Sequence, residues 1–340
     1  MKILLLADFR QDSPSFMWNN AWMLAKGFLR NGHDVLPFGY REHLFSLSPI
    51  RSKKWARRLA KTKTDRRLFH LARHYQPEVV FLVTYKLLNT ATLDGLREIL
   101  PRAAFVGWYG DPPRDFSHNL TDLARRCDWF LATSGGEFLR HMKQMGVPHC
   151  AFLPNPTDRD IKYPHPVEPK WKSSLLFTGK LGHRRPGQDR DRADLIQTLV
   201  REKNMTVWGC LDRPRLEGRD YLHALCGAEM ALSINAYNDV RFYHSDRLTH
   251  YLACGAFTLA RHVPDSDLLF ASGEHLYYFE SKEQCLELIE RFESDSDHRH
   301  EIARRGMKRA HEAFACDKLA RHIIELVENG EFREDWTEIL

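Results

Sequence analysis

At 340 residues, with 43% hydrophobic and 28% charged side chains, the chain holds enough apolar material for two ordinary domain cores, which excludes a disordered tail or a fibre. Its formal net charge of +5 is a mild excess and does not by itself call for nucleic acid. Seven scattered cysteines without a Cys-x-x-Cys pair fit buried thiols of a reducing compartment better than a disulfide framework or a zinc site.

The opening Met1 to Ala7 is too short for a signal peptide and runs directly into Asp8 and Arg10. No later run reaches the roughly 18 to 20 apolar residues of a membrane span, so a cytoplasmic protein is expected. Lys2 to Ala7 reads as a strand buried on both faces. A polar loop and a helix from about Ser15 to Asn31 follow, then Gly32 as a stop and a second strand to Phe38. That is one strand–helix–strand unit of a doubly wound sheet. No Gly-x-Gly-x-x-Gly follows the first strand, which argues against a nicotinamide-dinucleotide enzyme.

Arg51 to Arg67 is a basic run with Asp65 as its one acidic residue, and Trp55, Leu59, Leu68 and Phe69 supply an apolar side. It fits a solvated helix face, a helix touching an anionic membrane surface, or, less well, a nucleic-acid contact, for which no aromatic–basic motif is present. Glu78 to Thr84 and Ala103 to Trp108 are further buried strands, and the second delivers Tyr109-Gly110-Asp111-Pro112-Pro113 at its carboxyl end. Ligands sit along that edge of an open parallel sheet, so Asp111 is a candidate general base or acceptor-orienting carboxylate; a turn-forming aspartate before proline is the other reading.

Asp128 to Thr133 and Ala151 to Leu153 continue the strands, with a helix from Glu137 to Met145 between them. The proline-rich passage from Pro154 to Pro169 then reads as a domain boundary. Beyond it the alternation restarts: a strand to Thr178, a basic glycine loop from Gly179 to Arg185, a helix from Asp191 to Lys203, a strand to Cys210 and another from Met230 to Ile234. The fold class expected is α/β, two Rossmann-like domains facing each other across a cleft. The expected bounds are an amino-terminal domain at 1–156, a linker at 157–172, a carboxy-terminal domain at 173–330, and a tail at 331–340 of helical character folding back on the first domain.

Tyr237 to Leu259 carries a polar and aromatic loop, a short helix, a glycine stop at Gly255 and a strand. Ser245 or Asp246 is placed to cap the helix, and Arg247 adds a permanent cation beside its first N–H groups. That combination forms a ready phosphate site, although every helix needs a cap and many helix-end arginines are simply solvated.

Asn235, Ser245-Asp246-Arg247-x-x-His250-Tyr251-Leu252-Ala253-Cys254-Gly255-Ala256-Phe257, Leu268-Leu269-Phe270, Gly273 to Phe279 and Ile302-Ala303-x-x-Gly306, in that order, resemble the carboxy-terminal domain of the CgeB-like glycosyltransferases, a group of the two-domain GT-B architecture. The first half is similar in pattern alone, through Gly32-His33-Asp34-Val35 and the Asp111 turn. The resemblance implies a transferase that takes a nucleotide-diphosphate sugar as substrate and passes the sugar to a glycan, lipid-linked or protein acceptor. It needs no cofactor, and the expected setting is cell-surface glycan synthesis at the inner face of the membrane. It places the donor on Gly179, Lys180, Tyr243, His244, Ser245, Asp246, Arg247 and His250, with Arg247 and Asp111 as the catalytic candidates. Cations and oriented N–H groups stabilise a departing diphosphate, and with no Asp-x-Asp in the chain a metal is not expected. Where many related GT-B enzymes carry a glutamate three residues after the arginine, this chain has His250, which keeps a non-catalytic sugar-nucleotide or glycan-binding module as the alternative.

Overall fold

The computed structural model of the chain describes all residues except 12, 15–18, 51, 84–86, 112–117, 182–188 and 190. It divides into two compact units, Met1–Pro154 with Cys316–Leu340, and Asn155–Ala315. Each unit is an α/β domain built on an all-parallel sheet, the two Rossmann-like domains that the alternating apolar runs predict.

In the first unit, β1 (Lys2–Ala7), β2 (Asp34–Gly39), β3 (Val79–Leu82), β4 (Ala104–Tyr109), β5 (Trp129–Ala132) and β6 (Cys150–Phe152) lie in the order β2-β1-β3-β4-β5-β6. Helices α1 (Asn20–Arg30), α2 (Tyr40–Ser46), α3 (Lys53–Tyr75), α4 (Thr90–Ile99), α5 (His118–Ala124) and α6 (Glu137–Gln144) connect them. Asn19 caps α1 by accepting from the Ala21 amide at 2.8 Å, and the Ser15 start expected for this helix lies outside the described residues.

The helix Cys316–Asn329 belongs to this unit, although its place in the sequence suggested the second. Gly27 explains how it docks: a Cβ there would lie 2.1 Å from the Cys316 carbonyl oxygen, so only glycine lets the two helix backbones approach so closely. Asn31 secures the contact, donating from Nδ2 to the Asp317 carbonyl at 2.6 Å. The tail is extended rather than helical, because it completes a sheet edge. Cys150 and Leu340 exchange backbone hydrogen bonds at 3.0 and 2.8 Å, and Ile339 pairs antiparallel with Ala151.

Helix α3 buries a stripe of small residues four apart, Ala56, Ala60, Thr64 and Ala72, together with Leu68. Of the apolar side expected from the sequence, Leu68 is buried while Trp55 and Leu59 are exposed, among the exposed Lys54, Arg57, Arg58 and Lys63. Arg51 and the Lys53 side chain lie outside the described residues. No helix among the described residues is long and apolar enough to cross a membrane.

In the second unit, β7 (Ser173–Thr178), β8 (Thr206–Trp208), β9 (Ala228–Ser233), β10 (Phe257–Arg261) and β11 (Tyr277–Phe279) lie in the order β11-β10-β9-β7-β8. Helices α7 (Arg192–Glu202), α8 (Gly218–Cys226), α9 (Asp246–Ala253), α10 (Lys282–Ser294) and α11 (Ser296–Ala313) cover it. Phe177, Ile196, Leu199, Leu232, Leu259, Ile289 and Phe292 form its core. The first strand of the unit, β7, sits between the second and the third. The connections therefore leave in opposite directions between β7 and β9, and their carboxyl ends open a crevice at this switch point.

Candidate functional site

The carboxyl ends of β7 and β9 are joined by side chains, and Arg247 is the main tie. It stands in the first turn of α9, 8% exposed, and donates from Nη1 to the Thr178 carbonyl and from Nη2 to the Ile234 carbonyl, both at 2.7 Å. One helical turn on, the Tyr251 hydroxyl bonds the Thr178 amide at 2.8 Å and its hydroxyl at 2.9 Å, so the spacing of four puts both ties on one face of α9. Asn235 fixes the preceding loop, accepting from the Ser245 amide at 2.9 Å and donating to the Tyr243 carbonyl at 3.2 Å.

Ser245 is the N-cap in backbone terms, with extended φ and ψ of −70° and 154°, but its hydroxyl makes no capping bond and is buried without a partner among the described residues. The sequence reading expected that hydroxyl, or Asp246, to take a helix N–H. Asn235 holds the Ser245 amide instead, which leaves the first N–H groups of α9 unclaimed by a cap side chain. Gly179 must be glycine on two counts: its φ is +147°, and a Cβ would stand 2.4 Å from Arg247 Nη1. Lys180 follows it, exposed; the rest of the basic loop, 182–188, lies outside the described residues.

A second buried cation, which the sequence reading missed, completes the arrangement. Arg192, the first residue of α7 and 8% exposed, donates from Nη2 to the Lys180 carbonyl at 2.8 Å, from Nη1 to the Leu181 carbonyl at 2.9 Å and from Nε to the Ile234 carbonyl at 3.2 Å. Both guanidinium groups lie by the Phe177 ring, Arg247 at 4.9 Å and Arg192 at 5.6 Å from its centroid. Among the described residues neither pairs with a carboxylate, and Arg247 Nε is buried without a partner. Burial, and next the charge of Arg247, pulls the Arg192 guanidinium down to about 10. An anion placed here would relieve both costs.

His244 and His250 lie behind this surface. His250 is 1% exposed, its Nδ1 is 3.1 Å from the Tyr221 hydroxyl, and burial holds its pKa well below the usual imidazole range, with the charges of Lys162 and Arg247 adding to the effect. Burial also brings His244 down to about 4, against a hydrogen bond to the Phe242 carbonyl. A neutral buried imidazole binds fewer protons than the unfolded chain between about pH 4 and 6.5, so stability is full above 6.5 and falls as the pH drops through that window. For His244 alone the loss amounts to about 3 kcal/mol by pH 4. Melting temperature measured against pH is expected to show that fall, with a shallower slope in His244→Gln.

In the first unit, Asp111 follows β4 at the carboxyl edge of the six-stranded sheet and is exposed; Pro112 and Pro113 lie outside the described residues. Glu42, in the first turn of α2 after β2, is a further carboxylate on that edge, its carboxyl raised chiefly by burial and also by the charge of Asp8.

Residues 185–325 match the family described as glycosyl transferase-like. The chain is similar in fold to HepE of Anabaena, solved in complex with UDP-glucose, at 15% identity and a TM-score of 0.59 over 96% of this chain and 99% of that one. An α-glucosyltransferase solved with UDP and a DNA 13-mer superposes at 11% identity with a TM-score of 0.64, over 96% and 99%. Sucrose-phosphate synthase of Thermosynechococcus elongatus does so at 12% identity with a TM-score of 0.61, over 96% and 98%. No curated protein matches the sequence.

The fold is that of the GT-B glycosyltransferases. Within this GT-B chain the matched segment contains α7, β9 and α9, and therefore both buried arginines, while Gly179 and Lys180 fall just before it. Among the described residues no group of three or more His, Cys, Asp or Glu side chains is placed to hold a metal ion.

Proposed function

We propose that the protein is a glycosyltransferase that binds a nucleotide-diphosphate sugar at the switch point of the second sheet and passes the sugar to a glycan, lipid-linked saccharide or protein. The observation that carries this reading is the pair of buried guanidiniums, Arg192 and Arg247, at the ends of β7 and β9 without a carboxylate partner among the described residues. An unpaired buried cation costs on the order of several kcal/mol, and a diphosphate set against both offsets that cost. The match to the glycosyl transferase-like family and the UDP and UDP-glucose bound by proteins of the same fold support the donor class.

In this mechanism the bond from the anomeric carbon to the diphosphate oxygen breaks and negative charge grows on the leaving group. Arg247 and Lys180, together with the first amides of α9 at Asp246 and Arg247, stabilise that charge, so no metal is required in this account. Gly179 keeps the backbone low enough to admit the phosphates. Tyr243, Ser245, His244 and His250 shape the wall, the two histidines from behind it. Asp111 accepts the proton of the attacking hydroxyl if the anomeric centre inverts and orients that hydroxyl if it is retained. A thermal-shift screen with UDP-, GDP-, ADP- and CMP-sugars is expected to give a concentration-dependent rise with one of them. No rise with any would end the donor reading.

The alternative, a sugar-nucleotide-binding module without turnover, draws on His250, neutral and held by Tyr221 where related enzymes carry glutamate. Hydrolysis of the bound donor separates the two readings: turnover that falls in Asp111→Asn supports the transferase, and binding with no turnover supports the module.

We further propose that α3 brings the protein, working in the cytoplasm, to an anionic membrane surface. Trp55 and Leu59 are exposed beside Lys54, Arg57 and Arg58, the pairing of apolar and cationic groups that suits a lipid interface. Flotation with vesicles containing phosphatidylserine is expected to carry the wild type and to lose the triple variant Lys54→Gln, Arg57→Gln, Arg58→Gln. Equal flotation of the two would remove the membrane role.

A further inference from the structure

Between the starts of α7 and α9 runs a line of polar side chains that begins at Asp189, a residue the donor chemistry above does not use. Its side chain is 11% exposed, and Arg261 Nε, at the end of β10, stands 3.8 Å from Oδ2. Oδ1 accepts from the amides that open α7, Asp191 at 3.0 Å and Arg192 at 3.2 Å, while the N-cap Asp191 makes no side-chain cap of its own. Oδ2 accepts from Asn238 Nδ2 at 2.8 Å. Asn238 Oδ1 in turn accepts from the Asn235 amide, and its Nδ2 donates also to the Asn235 carbonyl, both at 3.2 Å. Asn235, 4% exposed, completes the line with its bonds to the Ser245 amide and the Tyr243 carbonyl.

We propose that Asp189 is a positioning residue for the donor site: through Asn238 and Asn235 it sets the start of α9, which carries Arg247, against the start of α7, which carries Arg192. The direction of the line is fixed, because Asn238 Nδ2 faces a carboxylate and Oδ1 faces an N–H, so the amide has one orientation. The backbone is tied in parallel. The Asp189 amide donates to the Ala236 carbonyl at 2.9 Å, and the Ile234 carbonyl takes both Arg192 Nε and Arg247 Nη2. Capping α7 needs Oδ1 alone; it is Oδ2 that reaches the loop between β9 and α9.

Two buried cations share one diphosphate only when their spacing is set before it arrives, and a preorganised pair stabilises the anion without reorganising. A change at Asp189 therefore reaches the start of α9 without touching it. The effect on a diphosphate rests on the proposed function; the tie between the two helix starts does not.

Asp189→Asn keeps an acceptor for the α7 amides but turns an amide donor toward Asn238 Nδ2, and Asn238→Asp sets two carboxylates face to face. In the double variant a donor at 189 again meets an acceptor at 238. Hydrogen exchange of the full chain without ligand, resolved to single amides, is expected to quicken in Asp189→Asn at Asn235 and Ser245, neither of which Asp189 touches, and to slow again in the double variant. Asn238→Asp, which leaves the α7 amides their acceptor, serves where Asp189→Asn does not fold. Binding of inorganic pyrophosphate, followed by calorimetry, is expected to weaken about 10-fold in each single variant and no further in the double, where independent sites would multiply the losses to about 100-fold. Exchange that quickens only at Asp191 and Arg192, or evenly across the second unit, would overturn the proposal, as would losses that multiply. A wild type that ignores pyrophosphate would count against the donor assignment alone, and the exchange comparison would still decide the role of Asp189.

Discussion

Arg247→Ala is expected to lower kcat/KM for the nucleotide sugar by about 10²- to 10³-fold, the range lost when one preorganised donor to a developing anion is removed. The substitution has two effects, and they are separable. It removes a buried cation from the place proposed for the diphosphate, and it strips the Thr178 and Ile234 carbonyls of a donor that each holds at 2.7 Å. The second effect costs stability, about 1 to 3 kcal/mol for a buried acceptor that loses its donor, with Ile234 keeping the bond from Arg192 Nε, and appears as a lower melting temperature. Arg247→Lys keeps the charge but cannot span both carbonyls with one planar fork. It is therefore expected to recover part of the donor binding and little of the stability. Full turnover in a folded Arg247→Ala protein would remove the phosphate assignment, whatever happens to stability.

Gly27→Val is expected to give a large stability loss in the first unit. Even a Cβ at this position would lie 2.1 Å from the Cys316 carbonyl oxygen and 2.9 Å from the Ala320 Cβ, and a backbone carbonyl cannot swing aside as a flexible side chain can. Either α1 or the helix Cys316–Asn329 must shift, and overpacking of this kind costs about 1 to 3 kcal/mol before the lost Asn31 and Arg30 contacts to residues Cys316 and Asp317 are counted. Gly→Val brings no large offset, because a β-branched residue gains little helix propensity over glycine. The urea midpoint is expected to fall, and limited proteolysis to release the carboxy-terminal helix first. An unchanged midpoint would mean that the two helices do not meet at this glycine.

These two positions mark what the sequence could and could not reveal. The sheets were legible because strands buried on both faces, such as Ile3 to Ala7 and Val79 to Leu82, leave continuous apolar runs bounded by glycine and proline. Arg247 was legible because it follows a cap residue at a helix start. Arg192 also begins a helix, but an arginine there looks like any solvated cation; its burial, its three carbonyls and the shared Phe177 ring are tertiary facts. The return of Cys316–Leu340 to the first unit was hidden because its evidence is a contact 286 residues apart, Asn31 to Asp317, and one glycine inside α1. Local pattern also did not show which face of α3 packs inward, since that face is set by a period-four run of small residues and leaves Trp55 and Leu59 outside it.

The central claim is that the diphosphate of a sugar nucleotide sits at the carboxyl ends of β7 and β9, and hydrogen–deuterium exchange with and without the nucleotide sugar that raises thermal stability tests it most directly. Slowed exchange is predicted at the amides of Gly179 to Leu181 and of Asp246 to Leu248, and it should be lost in Arg247→Ala. Protection confined to other parts of the chain, with these two segments exchanging as fast as in the free protein, would contradict it.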